Sequence, residues 1–280
     1  MNVDPAKIGI IAGSGQFPLL FIRAAKKAGR KTVLIAHQNE TSEKVVREAD
    51  EVCRVKLGQL GKVIKYFHKQ GVGETVFMGA VTKSRIFKDF LPDIKGLSLW
   101  NKIDNKQDDA ILRAVSGVLE KEGISVLEST CYLEHLFFPA GVLTKRKPNQ
   151  NQRKDIEFGW KNARGIGAMD IGQCVVVRNC SVVAVEAIEG TDACIKRGGM
   201  LAKKKAVVVK VRKPGQDFRF DLPAIGIKTI ESLASVKGAV LAVEAGQSLL
   251  FDSDAMIRAA DAAGIVVVGV SENPDGTLKF

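Results

Sequence analysis

The densest chemistry in this chain lies in Glu189-Gly190-Thr191-Asp192-Ala193-Cys194-Ile195-Lys196-Arg197-Gly198-Gly199, just after an apolar run. Carboxylates hold hard divalent ions, Lys and Arg neutralise phosphate oxygens, and glycines let backbone N–H groups approach an anion. Glu189 and Asp192 are therefore candidate metal ligands, and Thr191 a candidate phosphate or sugar contact. Lys196, Arg197, Gly198 and Gly199 are candidate anion contacts. Helix capping explains the same residues without a ligand, with Thr191 or Asp192 as N-cap and the glycine pair as the stop.

A second segment, Lys213-Pro214-Gly215-Gln216-Asp217-Phe218-Arg219-Phe220-Asp221-Leu222-Pro223, offers an acid at a strand end. If residues 217–221 are extended, Asp217, Arg219 and Asp221 share one face, with Phe218 and Phe220 opposite. A same-face ion-pair ladder is the plain alternative. Asp221 differs because Leu222-Pro223 must end the strand beside Gly226 and a new helix, a common place for metal ligation or water activation. Lys213 is a candidate for charge neutralisation. Gln247 and Gly79 each follow a buried strand, where open α/β sheets place ligands.

Gly13-Ser14-Gly15 follows the first strand but does not complete a dinucleotide fingerprint. Pro18 occupies the third-glycine position, and Ile35-Ala36-His37-Gln38 lacks the acid that would hold a ribose hydroxyl. What remains is a glycine turn open to an anion at a helix start, or a plain tight turn.

The elements that must position these residues alternate. Residues 8–12, 32–36, 75–78 and 124–127 read as strands, and 17–28, 60–69 and 108–122 as helices, with Asp108-Asp109 as a helix start. That order implies a mostly parallel sheet covered on both faces. Periodicity fails near Phe138-Pro139-Ala140-Gly141, and 145–154 is polar and basic. Beyond it, 174–177 and 182–187 flank a hairpin turn at Arg178-Asn179-Cys180-Ser181. Residues 206–211, 239–243 and 265–270 read as strands, and 229–235 and 255–263 as helices. The expected fold is two α/β domains: a Rossmann-like parallel sheet over 1–134, a linker over 135–154, and a mixed-sheet catalytic domain over 155–280.

Composition narrows the function. The 280 residues are 46% hydrophobic and carry a formal charge of +11. Apolar runs are strand-length, far short of the roughly 20 residues of a spanning helix. With no basic leader before an apolar run, the expected place is the cytoplasm. Five scattered cysteines without C-x-x-C read as free thiols, and three isolated histidines suggest no zinc site. The positive charge suits nucleic acid, an acidic membrane surface or an anionic small molecule; aromatic content of 6% gives little support to base stacking.

Taken together, the runs 9–18, 78–83, 108–112, 122–132, 168–177, 183–199, 213–226, 244–247 and 263–269 resemble one family across nearly the whole chain. It is the cytoplasmic UDP-2,3-diacylglucosamine pyrophosphatases of lipid A biosynthesis, the two-domain type without a metallophosphoesterase motif. The resemblance implies hydrolysis to UMP and 2,3-diacylglucosamine 1-phosphate, with magnesium (or manganese) and substrate held between the domains. It also implies that Asp221 serves turnover, through metal ligation or water orientation. Gly13, Ser14, Gly15 and Gly79 would border the uridine or phosphate. A diacyl substrate and the basic surplus together imply transient contact with the anionic inner membrane surface and no nucleic-acid partner. Acyl chains would need an apolar groove, with Leu136, Phe137 and Phe138 as candidates, though interdomain core suits them equally. The competing readings are another nucleotide-sugar enzyme, which would release UDP, and a non-catalytic nucleotide- or nucleic-acid-binding module.

Overall fold

The computed structural model describes residues 3–81, 90–103, 108–220 and 222–280. Asp221 lies outside the described residues, as do Thr82 and Lys83 of the 78–83 run. The chain divides into two compact units, Met1–Glu134 with Asp217–Asp221, and His135–Gln216 with Leu222–Phe280.

The first unit runs β1 (Lys7–Ala12), α1 (Phe17–Lys27), β2 (Lys31–His37), α2 (Glu43–Glu48), β3 (Glu51–Val55), α3 (Leu60–Gln70), β4 (Glu74–Met78), α4 (Ile94–Trp100), α5 (Asp108–Lys121) and β5 (Ser125–Val126). Its strands form one parallel sheet of order β3-β2-β1-β4-β5. Ile11, Val33, Ile35 and Val55 pack against Leu60, Val63, Ile64 and Phe67 of α3, which ends where Gly71 takes the left-handed conformation. Helix α2 and strand β3 lie between the expected strand 32–36 and helix 60–69, where the sequence pattern predicts no element. β3 buries only one of its five residues, so it carries no apolar alternation to detect.

The second unit comprises β6 (Gly141–Val142), α6 (Gln150–Ala168), β7 (Cys174–Arg178), β8 (Ser181–Val185), α7 (Thr191–Ala202), β9 (Val207–Lys210), β10 (Ala224–Ile225), α8 (Ile227–Ser235), β11 (Val240–Glu244), β12 (Leu249–Leu250), α9 (Ser253–Ala263), β13 (Val266–Glu272) and β14 (Leu278–Lys279). Its large sheet is mixed, of order β14-β13-β11-β9-β7-β8, with β6 also on β13. Strands β9, β11 and β13 are parallel, while β7 is antiparallel to both β9 and β8. Alternate valines serve opposite faces. Val175, Val177, Val207 and Val209 pack on Ile156, Trp160 and Ala163 of α6. Val176 and Val208 join Cys194 and Ile195 of α7, Leu233 of α8 and Met256 of α9 on the other side. Phe138, weighed above as a groove residue, is buried in this second cluster.

The stretch 135–154, expected as a linker, carries structure within this unit. Gly141 and Val142 pair with β13, and Asn149 opens α6 through a reciprocal capping box with Gln152. Its basic composition belongs to an exposed surface. The hairpin turn is as expected: Asn179 and Cys180 both take positive φ, and the buried Asp155 carboxylate accepts from both of their N–H groups.

Candidate functional site

In the first unit, the strand order changes direction between β1 and β4, the place where parallel sheets form ligand crevices at their carboxyl ends. The loops leaving these two strands are zipped together. Gly13 N–H donates to Met78 O at 2.8 Å, and Ser14 donates to Ala80 O through both its N–H and its Oγ at 2.8 Å. A side chain on Gly13 would meet Ala80 O at 2.3 Å, and one on Gly79 would meet Ser14 O at 2.2 Å. These two glycines are thus required by the close approach of two backbones. Gly15, at φ +95° with open space around it, is exposed just before the start of α1. His37, at the end of β2 on the same edge, has its Nδ1 buried without a partner among the described residues. Burial pushes its imidazole from 6.5 down to about 4.

The segment before Asp221 belongs to this unit and is a turn, not the expected strand; Phe220 N–H closes it onto Asp217 O at 3.1 Å. Ion pairing overrides the alternation. Arg219 grips the Asp217 carboxylate with Nε and Nη2 and reaches Glu120 at 2.9 Å, while Arg113 lies 3.3 Å from Asp217. The Arg219 hydrogen bonds hold the Asp217 carboxyl below its ordinary value. Phe220 packs edge-on against Phe77, and Ser129 Oγ donates to Phe218 O at 3.1 Å. The residue next to Asp221 is therefore firmly seated.

In the second unit, the carboxyl ends of β8, β9, β11 and β13 share one edge of the sheet. It gathers Glu186, Lys210, Glu244 and Glu272, of which the first three are buried. Lys210 Nζ donates to Thr191 Oγ1 at 3.1 Å and to Ala224 O at 3.4 Å. Thr191 Oγ1 in turn donates to Glu186 Oε1 at 2.8 Å. Glu186 Oε2 is buried with no partner among the described residues. Beside this cluster, Glu244 holds Arg164 at 2.7 Å and accepts from Arg212 N–H at 2.8 Å. Lys213 pairs with Asp170 at 2.7 Å, and half-buried Gln247 follows β11 on this edge.

Several expected contacts are relocated. Gly198 and Gly199 do not stop a helix or face an anion. Both lie inside α7, where added side chains would strike Val176 and Val236 at 2.6 and 2.1 Å, so they are packing glycines. Gly190, not Thr191 or Asp192, is the N-cap. The Thr191 hydroxyl is engaged between Glu186 and Lys210. Arg197 is bound to Glu189 at 2.6 Å and to Val185 O at 2.8 Å. The remaining Glu189 oxygen accepts from Ala187 N–H, and the Arg197 hydrogen bond holds its carboxyl below the usual range. Asp192 and Lys196 are exposed. Among the described residues, no three His, Cys, Asp or Glu side chains gather to hold a metal ion; Asp221, the third ligand expected with Glu189 and Asp192, lies outside them.

The sequence reading missed Lys210, Glu186 and Glu244. A signal existed: Lys210 interrupts the run Val207-Val208-Val209-Lys210-Val211, and a charge inside a buried strand needs a partner.

Residues 7–136 match the family described as the LpxI N-terminal domain, and residues 139–268 match the LpxI C-terminal domain. The UDP-2,3-diacylglucosamine pyrophosphatase LpxI of Caulobacter vibrioides is 34% identical over 275 residues, covering 94% of this chain and 97% of that one. Among solved structures, Rhizobium etli pyruvate carboxylase aligns with a TM-score of 0.30 at 13% identity, over 68% of this chain but only 15% of that one. The structure of gox2253 aligns with a TM-score of 0.33 at 11% identity, over 95% and 76% of the two chains. Likenesses this low carry no argument. The two domain matches and the Caulobacter relative, which extend over nearly the whole chain, place it in the LpxI family.

Proposed function

We propose that this chain hydrolyses UDP-2,3-diacylglucosamine to UMP and 2,3-diacylglucosamine 1-phosphate in lipid A biosynthesis. The observation that carries this is the 34% identity to a pyrophosphatase of that name over 94% of the chain. Splitting a diphosphate requires neutralised oxygens and an aligned water more than covalent work by the protein. Lys210 and Lys213, cations at the strand-end edge of the second unit, support that reading, as does the open space around Gly15 before α1.

In this reading, water adds to one phosphorus, the bridging oxygen leaves with its electron pair, and Asp221 orients the attacking water. Mg2+ or Mn2+ is included as a counter-ion to the diphosphate. The described carboxylates do not by themselves fit such an ion, because Glu189 is neutralised by Arg197 and Glu186 is bridged by Thr191 to the Lys210 ammonium. The enzyme is proposed to work in the cytoplasm and to meet the anionic inner leaflet, where a diacyl substrate resides.

The test is to incubate purified protein with UDP-2,3-diacylglucosamine and magnesium and to identify the nucleotide released. UMP is expected, with Asp221→Ala losing turnover while still binding substrate. Release of UDP, or full turnover by Asp221→Ala, overturns the reading.

A further inference from the structure

The last turn of helix α7 carries Met200 and Leu201, two large apolar side chains that are 69% and 63% exposed. The chain then turns through Lys203-Lys204-Lys205 into β9, and Lys205 N–H donates to Lys237 O at 2.8 Å. Gly199 lies against Val236, which brings the end of α7 onto the turn that carries Lys237. All four lysines are exposed, and residues 200–208 and 234–239 contain no carboxylate. Four exposed lysines thus accompany an exposed apolar pair, with no carboxylate in either segment.

The backbone here is unfavourable for the residues it carries. Lys203, Lys205 and Lys237 have φ of 63°, 58° and 53°. Lys203 sits at the centre of a tight turn closed by Lys204 N–H on Ala202 O at 2.8 Å. Eight non-glycine residues among those described have positive φ; four are Asn or Asp, whose short polar side chains tolerate it, and three are these lysines. Glycine would be the less strained residue at each. Neighbouring positions that keep a long cationic side chain against the backbone preference point to a use for the charge.

We propose that this patch, Met200 and Leu201 framed by Lys203, Lys204, Lys205 and Lys237, docks the protein on an anionic lipid surface. The lysines meet the headgroup charge and the two apolar side chains enter the interface, the arrangement that membrane-surface segments use. The exposed apolar pair favours lipid over a nucleic acid, which would need cations and stacking or polar side chains instead. The patch lies at the entry end of β9, whereas Lys210 and Thr191 lie at its exit end. Docking can therefore be altered without touching the candidate site. The proposal specifies a surface for the membrane approach proposed above and does not depend on the reaction catalysed.

The experiment is co-sedimentation of the full chain with phosphatidylcholine vesicles, with and without phosphatidylglycerol, together with the thermal midpoint of each variant. Binding is expected only with phosphatidylglycerol. Replacing Lys203, Lys205 and Lys237 by glycine should weaken it about fivefold per lysine, on the order of a hundredfold in all, while the midpoint holds or rises. Met200→Ser with Leu201→Ser should weaken binding at an unchanged midpoint. Equal binding by the glycine variant, indifference to phosphatidylglycerol, or a fall in its midpoint overturns the proposal. So does tighter capture by duplex DNA than by the anionic vesicles at the same salt. UMP release is not read here, so failure of docking and failure of the proposed activity are separate results.

Discussion

Replacing Lys210 by methionine keeps most of the buried stem but removes the ammonium that faces Thr191 and, through its hydroxyl, Glu186. Both charged residues are nearly inaccessible, at 5% and 7% exposure, and one Glu186 oxygen already lacks a partner among the described residues. Taking one charge from a buried pair costs about 3–5 kcal/mol, because the other is left without compensation. The two charges meet here through the Thr191 hydroxyl, at 3.1 and 2.8 Å, so the lower figure of about 3 kcal/mol is expected for Lys210→Met. Glu186→Gln keeps an acceptor for Thr191 but leaves the buried Lys210 ammonium without its counter-charge, so it too should cost about 3 kcal/mol. The double variant no longer buries a lone charge, so its loss should fall short of the sum by about 1–2 kcal/mol. Urea unfolding of the four proteins, followed by far-ultraviolet circular dichroism, measures this cycle. Additivity within about 0.3 kcal/mol would refute the coupling and with it the electrostatic reading of the strand-end cluster.

Burial lowers the folded-state value of His37 from 6.5 to about 4, so between these pH values the unfolded chain takes up a proton that the folded chain refuses. The His37 contribution to stability is complete above pH 6.5 and is lost as the pH falls towards 4; urea midpoints should decline over that window, and less steeply in His37→Asn. Gly79→Ala should cost about 2–4 kcal/mol, since its methyl group would lie 2.2 Å from Ser14 O at φ +80°. Gly15→Ala, at φ +95° in open space, should cost only about 1–2 kcal/mol; equal thermal shifts for the two would remove the close-approach argument.

Much of the secondary structure was legible because local burial has a local period. The apolar runs of β1, β2 and β4, the helical spacing ended by Gly71 and the two-residue hairpin at Asn179-Cys180 all lie where the pattern predicts. Helix α6 was overlooked because its first turn is polar, although Asn149 and Gln152 carry the capping signal. The turn at residues 217–220 was misread as a strand because alternation alone cannot see Arg113 and Glu120, about a hundred positions away in sequence yet in contact.

The sequence by itself determined the two-part α/β organisation, the mixed second sheet and the family, since periodicity and motif runs are properties of neighbouring residues. Tertiary structure alone decided which chemical groups meet. It joined Glu189 to Arg197, placed Gly198 and Gly199 against packed valines, and set the Lys210 ammonium beneath Thr191. The physical reason is that a charge or a glycine declares a need in the sequence, for a partner or for space. The residue that meets the need comes from another element, and folding selects it.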